Sequence, residues 1–309
     1  AASDVYKRQA VNNFFDPKNQ HTVKVLPFLG EYSWSVVIAS LVLAFCVAAV
    51  LIGGVKRIAS VSQIIVPFMA VIYIVFVLVL VVCNITAVPA AFATIVKAAF
   101  SPKAITGGAV GSFLVAMQKG VARGIFSNEA GLGSAPIAAA AAQTKEPVRQ
   151  GLVSMTGTFI DTIVICTLTG LSIVLTGAWQ VDGLEGVQVT TYAFQNGLPL
   201  PKELSAFVLM LCLVFFAFTT ILGWDYYSER CLEYLSGGRM KYVKVYRWIY
   251  ILAVFIGPYM TVSAVWTIAD IFNGLMALPN MIALFALSGV VVKETKHFFE
   301  RHRNGEIED

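Results

Sequence analysis

Three polar residues stand side by side in an otherwise apolar part of the chain. Ser127, Asn128 and Glu129 are followed, as far as Ala142, mostly by glycine and alanine. Small residues at every fourth position let membrane helices pack closely, but dense glycines weaken a helix by up to about 1 kcal/mol each. Two interpretations therefore stand: an unbroken, tightly packed helix, or a helix broken around 124–131. A break would expose carbonyls to a cation and a helix N-terminus to an anion.

A pair of adjacent hydroxyls offers a second place for chemistry. Thr219 and Thr220 lie in an apolar run, and Trp224 follows one helical turn after Thr220 on the same face. Hydroxyl oxygens are hard ligands of the kind that Na⁺ takes. The simpler interpretation is that each threonine bonds the carbonyl four residues back in its own helix. Trp224 either walls a small pocket or lies at the membrane interface.

Charged residues inside the apolar runs need partners, because a charge at a helix centre costs about 2.5–3.5 kcal/mol on insertion scales. Asp161, flanked by threonines, is expected to make internal hydrogen bonds or to bind a ligand or ion. Glu129 is expected to pair with Arg123 or to cap helix ends beside the break. Asp270, in the last apolar run, is expected to be a structural polar residue.

The elements that carry these residues are predicted to be membrane helices. The 309 residues are 58% apolar and 13% charged, against about 25% charged in soluble domains. Several uncharged runs reach the roughly 20 residues that cross a bilayer. The sequence thus predicts an all-α polytopic membrane protein in a lipid bilayer, with about seven spans near 34–55, 64–82, 109–142, 152–175, 204–224, 246–262 and 265–292. The apolar segment 88–100 is shorter and is expected to lie along the interface.

Positive charge marks one face of the predicted membrane protein. Lysine and arginine follow the first, third, fifth and seventh predicted spans and are sparse in the other loops. The positive-inside rule places these regions, including the tail, in the cytoplasm and the start of the chain outside. Asp225 and Glu229 close the fifth span beside Arg230, and we expect them to be solvated there. The net charge of +4 is modest and does not indicate nucleic-acid binding.

Four segments, in this order, resemble the sodium:alanine (alanine or glycine:cation) symporter family. They begin at Ala122, Phe159, Phe216 and Val265 and read ARGIFSNEAGLGSAPIAAAAA, FIDTIVICTLTGL, FAFTTILGWDYYSE and VWTIADIFNGLMALPN. The resemblance covers nearly all of the chain from about Ala10. It implies a LeuT-type inverted-repeat transporter with one broken helix, multi-pass in a bacterial or archaeal plasma membrane. Its activity would be import of a small neutral amino acid, alanine or glycine, coupled to Na⁺, with H⁺ as the other candidate ion.

The resemblance also implies roles for particular residues. Thr219 and Thr220 match the hydroxyl pair that helps to bind sodium in that fold. The residues expected to border the amino-acid pocket come from the predicted break and from the fifth span: Gly124, Ser127, Asn128, Thr220 and Trp224. Glu129, Asp161 and Asp270 are expected to be structural polar residues.

The family pattern further predicts how the chain is organised. The family's first broken helix should precede Ala10, so we expect a truncated chain that lacks the N-terminal helices of its own fold. The expected segments are a non-native start at 1–9 and a single transmembrane domain at 10–309. That domain divides into the end of the first repeat, an interfacial connection, the second repeat and a cytoplasmic tail, at 10–82, 83–108, 109–292 and 293–309.

Two other classes of membrane protein fit the sequence less well. A seven-helix receptor fits the span count and the outside start, but the last span has no lysine to hold retinal, since Lys293 follows it. A membrane-embedded enzyme is disfavoured because the spans contain no histidine, no HExxH motif and no paired catalytic carboxylates. We therefore expect a transporter and no enzymatic activity.

Overall fold

The chain is almost entirely helical in the computed structural model. The structure describes residues 10–12, 14–15, 22–24, 31–99, 109–129, 131–260 and 262–307. The start predicted to be non-native, at 1–9, lies outside these ranges, as does the end of the predicted connection at 100–108. The helical content agrees with the predicted all-α class, apart from one small sheet.

The sheet is an antiparallel pair of short strands, β1 (Thr22–Lys24) and β2 (Glu31–Ser33). The α-helices of the described ranges, numbered in chain order, are α1 Trp34–Leu51, α2 Gly54–Cys83, α3 Val88–Ala99, α4 Ala109–Asn128, α5 Ala135–Ala139, α6 Pro147–Thr158, α7 Thr167–Leu175, α8 Val187–Gly197, α9 Lys202–Leu235, α10 Met240–Ile256 and α11 Val262–Arg303. A π-helix, Phe159–Cys166, joins α6 to α7. Short 3₁₀ helices lie at Ile85–Ala87, Ala178–Gln180 and Gly257–Tyr259.

Five helical stretches in the described ranges are long and apolar enough to cross a bilayer: Trp34–Leu51, Lys56–Cys83, Pro147–Leu175, Lys202–Leu235 and Ser263–Arg303. They indicate a polytopic membrane protein. Two further predicted spans fall short by these measures: α10 has 17 residues, and α4 carries Lys119 and Arg123 among its 20 residues. The count of seven spans stays a prediction. The helix α3 has 12 residues, too short to cross a bilayer.

The chain forms two compact units. The first comprises Ala1–Phe100 and Leu168–Thr267, and the second comprises Ser101–Thr167 and Ile268–Asp309. In the first unit, a buried apolar cluster joins α1, α2, α9 and α10. On α1 the cluster takes Leu43, Val47 and Val50, whose spacing puts them on one helical face. Packing of that face is what holds α9 against α1 and α10.

The helix α9 is longer than predicted, and this changes the setting of two acidic residues. It runs to Leu235 rather than ending at Trp224, and α10 packs beside the extra turns. Asp225 and Glu229 are consequently 0% and 1% exposed. The prediction that they are solvated is wrong, because the face of α9 that carries them continues the buried face of the apolar cluster.

Candidate functional site

The second unit contains an interruption between two helices. The helix α4 ends at Asn128, and α5 begins at Ala135. Glu129, Gly131 and Gly133 between them have φ values of 55°, 75° and 82°. Left-handed backbone of this kind cannot continue a right-handed helix. The polar residues Ser127 and Asn128 therefore lie at the C-terminal end of α4, where the main chain leaves the helix.

The interruption begins later than predicted. Gly124 lies inside α4, with open space where a Cβ would stand, so the interruption overlaps only the end of the range 124–131 in which a break was predicted. Single glycines such as Gly120 and Gly124 weaken a helix by only about 1 kcal/mol each, which neighbouring helix formers offset. Gly131 and Gly133 fall close together after Glu129, and all three have positive φ, so the chain is not helical there.

A hydrogen bond spans the interruption. The Ser134 hydroxyl donates to the Glu129 carboxylate, Oγ to Oε2, over 2.7 Å. Ser134 is only 1% exposed. Bonds to a carboxylate are stronger than those between neutral groups, so Glu129 holds the two ends of the interruption together. The structural role expected for Glu129 beside the break stays a prediction. Arg123, its other expected partner, forms an ion pair with Asp270 over 3.0 Å.

The end of α4 is hydrogen-bonded to the π-helix. The Ser127 hydroxyl donates to Asp161, Oγ to Oδ2, over 2.7 Å, and the Asn128 amide donates to Thr162, Nδ2 to Oγ1, over 3.2 Å. The Thr162 hydroxyl in turn lies 3.5 Å from Asp161 Oδ2. Ser127, Asn128, Asp161 and Thr162 are called the polar quartet below. They bring one carboxylate, one amide and two hydroxyls to one place.

The π-helix explains why two successive residues, Asp161 and Thr162, can both accept hydrogen bonds from α4. Its i→i+5 bonding inserts an extra residue locally, a distortion that is frequent at functional sites. Asp161 and Thr162 both reach the end of α4 from it. Chemically, the oxygens of the quartet suit a monovalent cation or the ammonium group of a small ligand. Asp161 accepts the Ser127 hydroxyl in the structure, and its role, structural or ligand-binding, stays a prediction.

A cavity of about 280 Å³ adjoins the Arg123–Asp270 ion pair within the second unit. Its lining comes from α4, the interruption and α11: Gln118, Ala122, Ile125, Leu132, Asp270, Asn273, Gly274 and Ala277. The side chains of the ion pair are 33% and 36% exposed, so the pair contributes little to stability. It does fix two charged groups at the edge of a cavity that a small polar solute could enter.

Gly133→Ala is expected to destabilise the interruption. Gly133 has φ of 82°, and an added Cβ would lie 3.1 Å from Asn280 Oδ1. The left-handed conformation alone costs an L-residue about 1–2 kcal/mol, and the close contact adds to that. Thermal unfolding of the purified protein should show a lower melting temperature. Gly157→Ala, at an open position in α6, is the control and should not lower the melting temperature. Equal melting temperatures for the two variants would contradict the expected backbone strain at position 133.

The predicted ion residues lie in the first unit, on α9. The Thr219 hydroxyl donates to its own helix, to the Phe215 carbonyl over 3.0 Å and the Phe216 carbonyl over 3.2 Å. Its oxygen also lies 4.0 Å from the sulfur of Met69 on α2. For Thr219, this bonding to its own helix is the simpler interpretation given above. It uses the hydroxyl proton and leaves oxygen lone pairs, so it is compatible with cation binding.

Thr220 faces a different environment from its neighbour. It lines a cavity of about 350 Å³ between α8 and α9, with Gly186, Val187, Thr190, Leu213, Phe216 and Ala217. Trp224, one turn further along, is partly buried, and its ring lies 5.8 Å from that of Tyr227. The cavity is mainly apolar with two hydroxyls, which suits a small ligand that has an apolar side chain.

The predicted pocket residues divide between the two units. Ser127 and Asn128 belong to the second unit, and Thr220 and Trp224 to the first. Within the second unit the structure joins Ser127 and Asn128 to Asp161 and Thr162. Sequence reasoning did not assign Thr162 to the site, although its position next to Asp161 was a usable signal.

Comparison with known proteins identifies the class. The described fold, with its apolar helices, is that of a multi-pass α-helical membrane protein. Residues 13–309 match the model of the sodium:alanine symporter family, and the chain belongs to this family. The resemblance noted in the sequence is therefore confirmed.

Three relatives show how the chain compares with individual proteins. An uncharacterized transporter of Haemophilus influenzae is 54% identical over 86% of this chain, and the sodium/alanine symporter AgcS of Methanococcus maripaludis is 49% identical over 86%. The probable sodium/glutamine symporter GlnT of Bacillus subtilis is 38% identical over 94%. The matched regions make up 58%, 58% and 59% of these relatives, so the chain spans somewhat more than half of their length.

Proposed function

We propose that the protein containing this chain is a secondary active symporter that imports a small neutral amino acid, alanine or glycine, with Na⁺. The observation that carries the proposal is the helix interruption at Glu129–Ser134 in a chain of apolar helices. Non-helical backbone at membrane depth is tolerated where it lines a protein or water-filled cavity, and interrupted helices form the solute sites of many transporters. Family membership and the sodium named for two of the relatives support the choice of ion.

The polar residues have distinct proposed roles. Thr219 and Thr220 supply hydroxyl oxygens to Na⁺. Ser127 and Asn128 contact the amino acid, with Asp161 holding the Ser127 hydroxyl in place. The aliphatic side chain of the solute occupies apolar space bordered by Thr220 and Trp224. These roles involve binding only, and no bond is made or broken.

Transport follows from binding that depends on conformation. Na⁺ binding orders the pocket, the amino acid binds next, and rocking of one helix bundle against the other opens the site to the cytoplasm. The overall arrangement is proposed to be LeuT-type, with about seven spans in this chain. The proposed location is a bacterial or archaeal plasma membrane with the C-terminus in the cytoplasm, since lysine and arginine concentrate on that side.

Gradient-driven uptake tests the proposal. Full-length protein in proteoliposomes should accumulate labelled alanine or glycine when an inward sodium gradient is imposed. Replacing sodium by choline while holding pH equal should reduce uptake to the level of empty liposomes. Uptake that continues after both the sodium and the proton gradients are collapsed would contradict symport. Ligand binding without net flux would instead favour the receptor class, which family membership does not support.

Thr220→Ala is expected to weaken sodium binding. Removing one oxygen ligand should raise the sodium concentration for half-maximal uptake about tenfold, equivalent to about 1.4 kcal/mol. Thr94→Ala is the control, because that threonine is exposed on α3 and its hydroxyl donates to the carbonyl of Ala90 in its own helix. A sodium dependence that is the same in wild type and Thr220→Ala would remove Thr220 from the ion site.

A further inference from the structure

A buried acidic pair lies on α9 beyond the proposed ion residues. Asp225 is 0% exposed, and neither of its carboxyl oxygens accepts a hydrogen bond from a described donor. Glu229, one helical turn later, is 1% exposed and is held by Arg247 of α10. That contact is bidentate, with Nε to Oε1 at 2.6 Å and Nη2 to Oε2 at 2.9 Å. Asp225, Glu229 and Arg247 are called the buried triad below.

The triad has one more acidic group than basic groups. The charges that act on Asp225 are those of Glu229, which is unfavourable, and Arg247, whose guanidinium already binds Glu229. The helix α10 also contributes the Tyr246 hydroxyl near the pair. If both carboxyls were ionised, the triad would carry an uncompensated buried negative charge.

The other helices packed against α9 bring no further cation. The helices α1 and α8 contain no Asp, Glu, Lys, Arg or His. The helix α2 begins with Lys56 and Arg57, whose side chains are both exposed. Within the described ranges, therefore, Arg247 is the basic group that faces the acidic pair.

Burial of an unpaired carboxylate is expensive, so the site needs a proton or another cation. A lone ionised carboxyl in a protein interior costs several kcal/mol, and such a group normally takes up a proton. The placement favours the proton, because Glu229 follows Asp225 by one turn on the same face of α9 and both side chains are buried there. Two carboxyls can bond each other only if one of them carries a proton. A protonated Asp225 would donate to Glu229, and this bond would satisfy a polar group that is otherwise orphaned.

We propose that Asp225, supported by Glu229 and Arg247, binds one exchangeable proton at a site separate from the proposed sodium and amino-acid residues. The Asp225 carboxylate takes the proton from water and becomes a neutral acid, and the Glu229–Arg247 ion pair stays intact. At neutral pH the Asp225 carboxyl is already ionised in the unfolded chain, as an ordinary aspartate is, whereas the folded chain retains the proton. Stability should therefore fall as pH rises through the range in which Asp225 ionises. The proton site does not depend on the proposed transport activity.

Infrared spectroscopy of the purified full-length protein tests this site without measuring transport. At neutral pH the wild-type protein should show the carbonyl stretch of a protonated carboxyl, and Asp225→Asn should lose that band. The amide introduced by this substitution matches the neutral acid in shape and can donate to Glu229, so the variant is expected to fold. The control is Glu203→Gln, an exposed residue in the first turn of the same helix. It should keep the band and lose only carboxylate absorption.

Two results would overturn the proposal. If Asp225→Asn removes only carboxylate absorption, Asp225 is ionised in the wild-type protein and binds no proton. If that variant also loses bound radioactive sodium, and Glu203→Gln does not, the site binds a metal ion instead. If the wild-type protein alone shows no protonated-carboxyl band at neutral pH, the proposal fails whether or not the variant folds. A band that disappears as pH is raised, together with a falling melting temperature, is the result expected.

Discussion

Arg247→Leu is expected to lower the free energy of unfolding by about 3–5 kcal/mol, the usual effect of removing one partner of a buried ion pair. Arg247 is 18% exposed and Glu229 is 1% exposed, so water cannot replace the lost guanidinium. The variant would leave Asp225 and Glu229 buried together with no described basic group facing them. Unfolding of the purified protein in a denaturing detergent, followed by circular dichroism, measures the change.

The matched control for this variant is Lys244→Leu. Lys244 is exposed on the same helix, α10, and a surface charge of this kind contributes about 0–1 kcal/mol. The two variants change charge equally, so a difference between them reports burial. Equal loss of stability in both would show that the pair on α9 is solvated, as the sequence alone had suggested.

Asp161→Ala is expected to lower the rate of sodium-driven uptake about tenfold or more. Its carboxylate accepts the Ser127 hydroxyl over 2.7 Å, and a hydrogen bond to a charged group contributes about 1.5–3 kcal/mol. Asp161 is only partly buried, which favours the lower end of that range. Without this bond the Ser127 hydroxyl is free to rotate at the end of α4. The contact that Ser127 is proposed to make with the solute is then lost together with the Asp161 carboxylate.

Two companion variants show which property of Asp161 matters. Asp161→Asn keeps an oxygen that accepts from Ser127 and removes the charge, so intermediate uptake would indicate that both contribute. Thr158→Val, one turn earlier and exposed, should transport like the wild type. Wild-type uptake by Asp161→Ala would contradict the proposed role of the polar quartet.

Much of the helical architecture was predictable because long apolar runs have few alternatives in a membrane. The runs that became α1, α2, α9 and α11 were each located from the sequence, although the structure extends α2, α9 and α11 beyond the predicted ends. The ends of the helices were harder to predict, because a helix can continue into a polar segment where a neighbouring helix packs against that segment. The extra turns of α9 after Trp224 are of this kind.

The sequence predicted which residues belong to the candidate site better than it predicted how those residues are arranged. Polar residues in an apolar chain identified Ser127, Asn128 and Asp161, since each needs a partner at membrane depth. The partner itself could not be chosen, because the π-helix that presents Asp161 and Thr162 together depends on a local bonding change that no simple periodicity predicts. The start of the interruption was hard to predict for a related reason. The number of glycines indicates a weak helix, but the positions of those glycines decide where the helix ends.

Burial of Asp225 was missed although a signal was present. Phe218, Ile221 and Leu222 precede Asp225 and Glu229 at helical spacing, so the acidic pair continues the face that packs in the apolar cluster. Proximity to Arg230 suggested a surface pair instead. In the structure Arg230 pairs with Glu233, and the true partner of Glu229, Arg247, is remote in sequence. Only the packing of α10 against α9 identifies it.

Equilibrium binding to the purified full-length protein tests the symport mechanism most directly. In a symporter the binding of sodium and the binding of the amino acid are coupled, so each must change the other's affinity by the same factor, because the coupling free energy is reciprocal. The predicted result is that saturating sodium tightens alanine binding several-fold or more, and that saturating alanine tightens sodium binding by an equal factor. Alanine affinity that is the same in sodium and in choline, with sodium affinity indifferent to alanine, would contradict sodium-coupled transport.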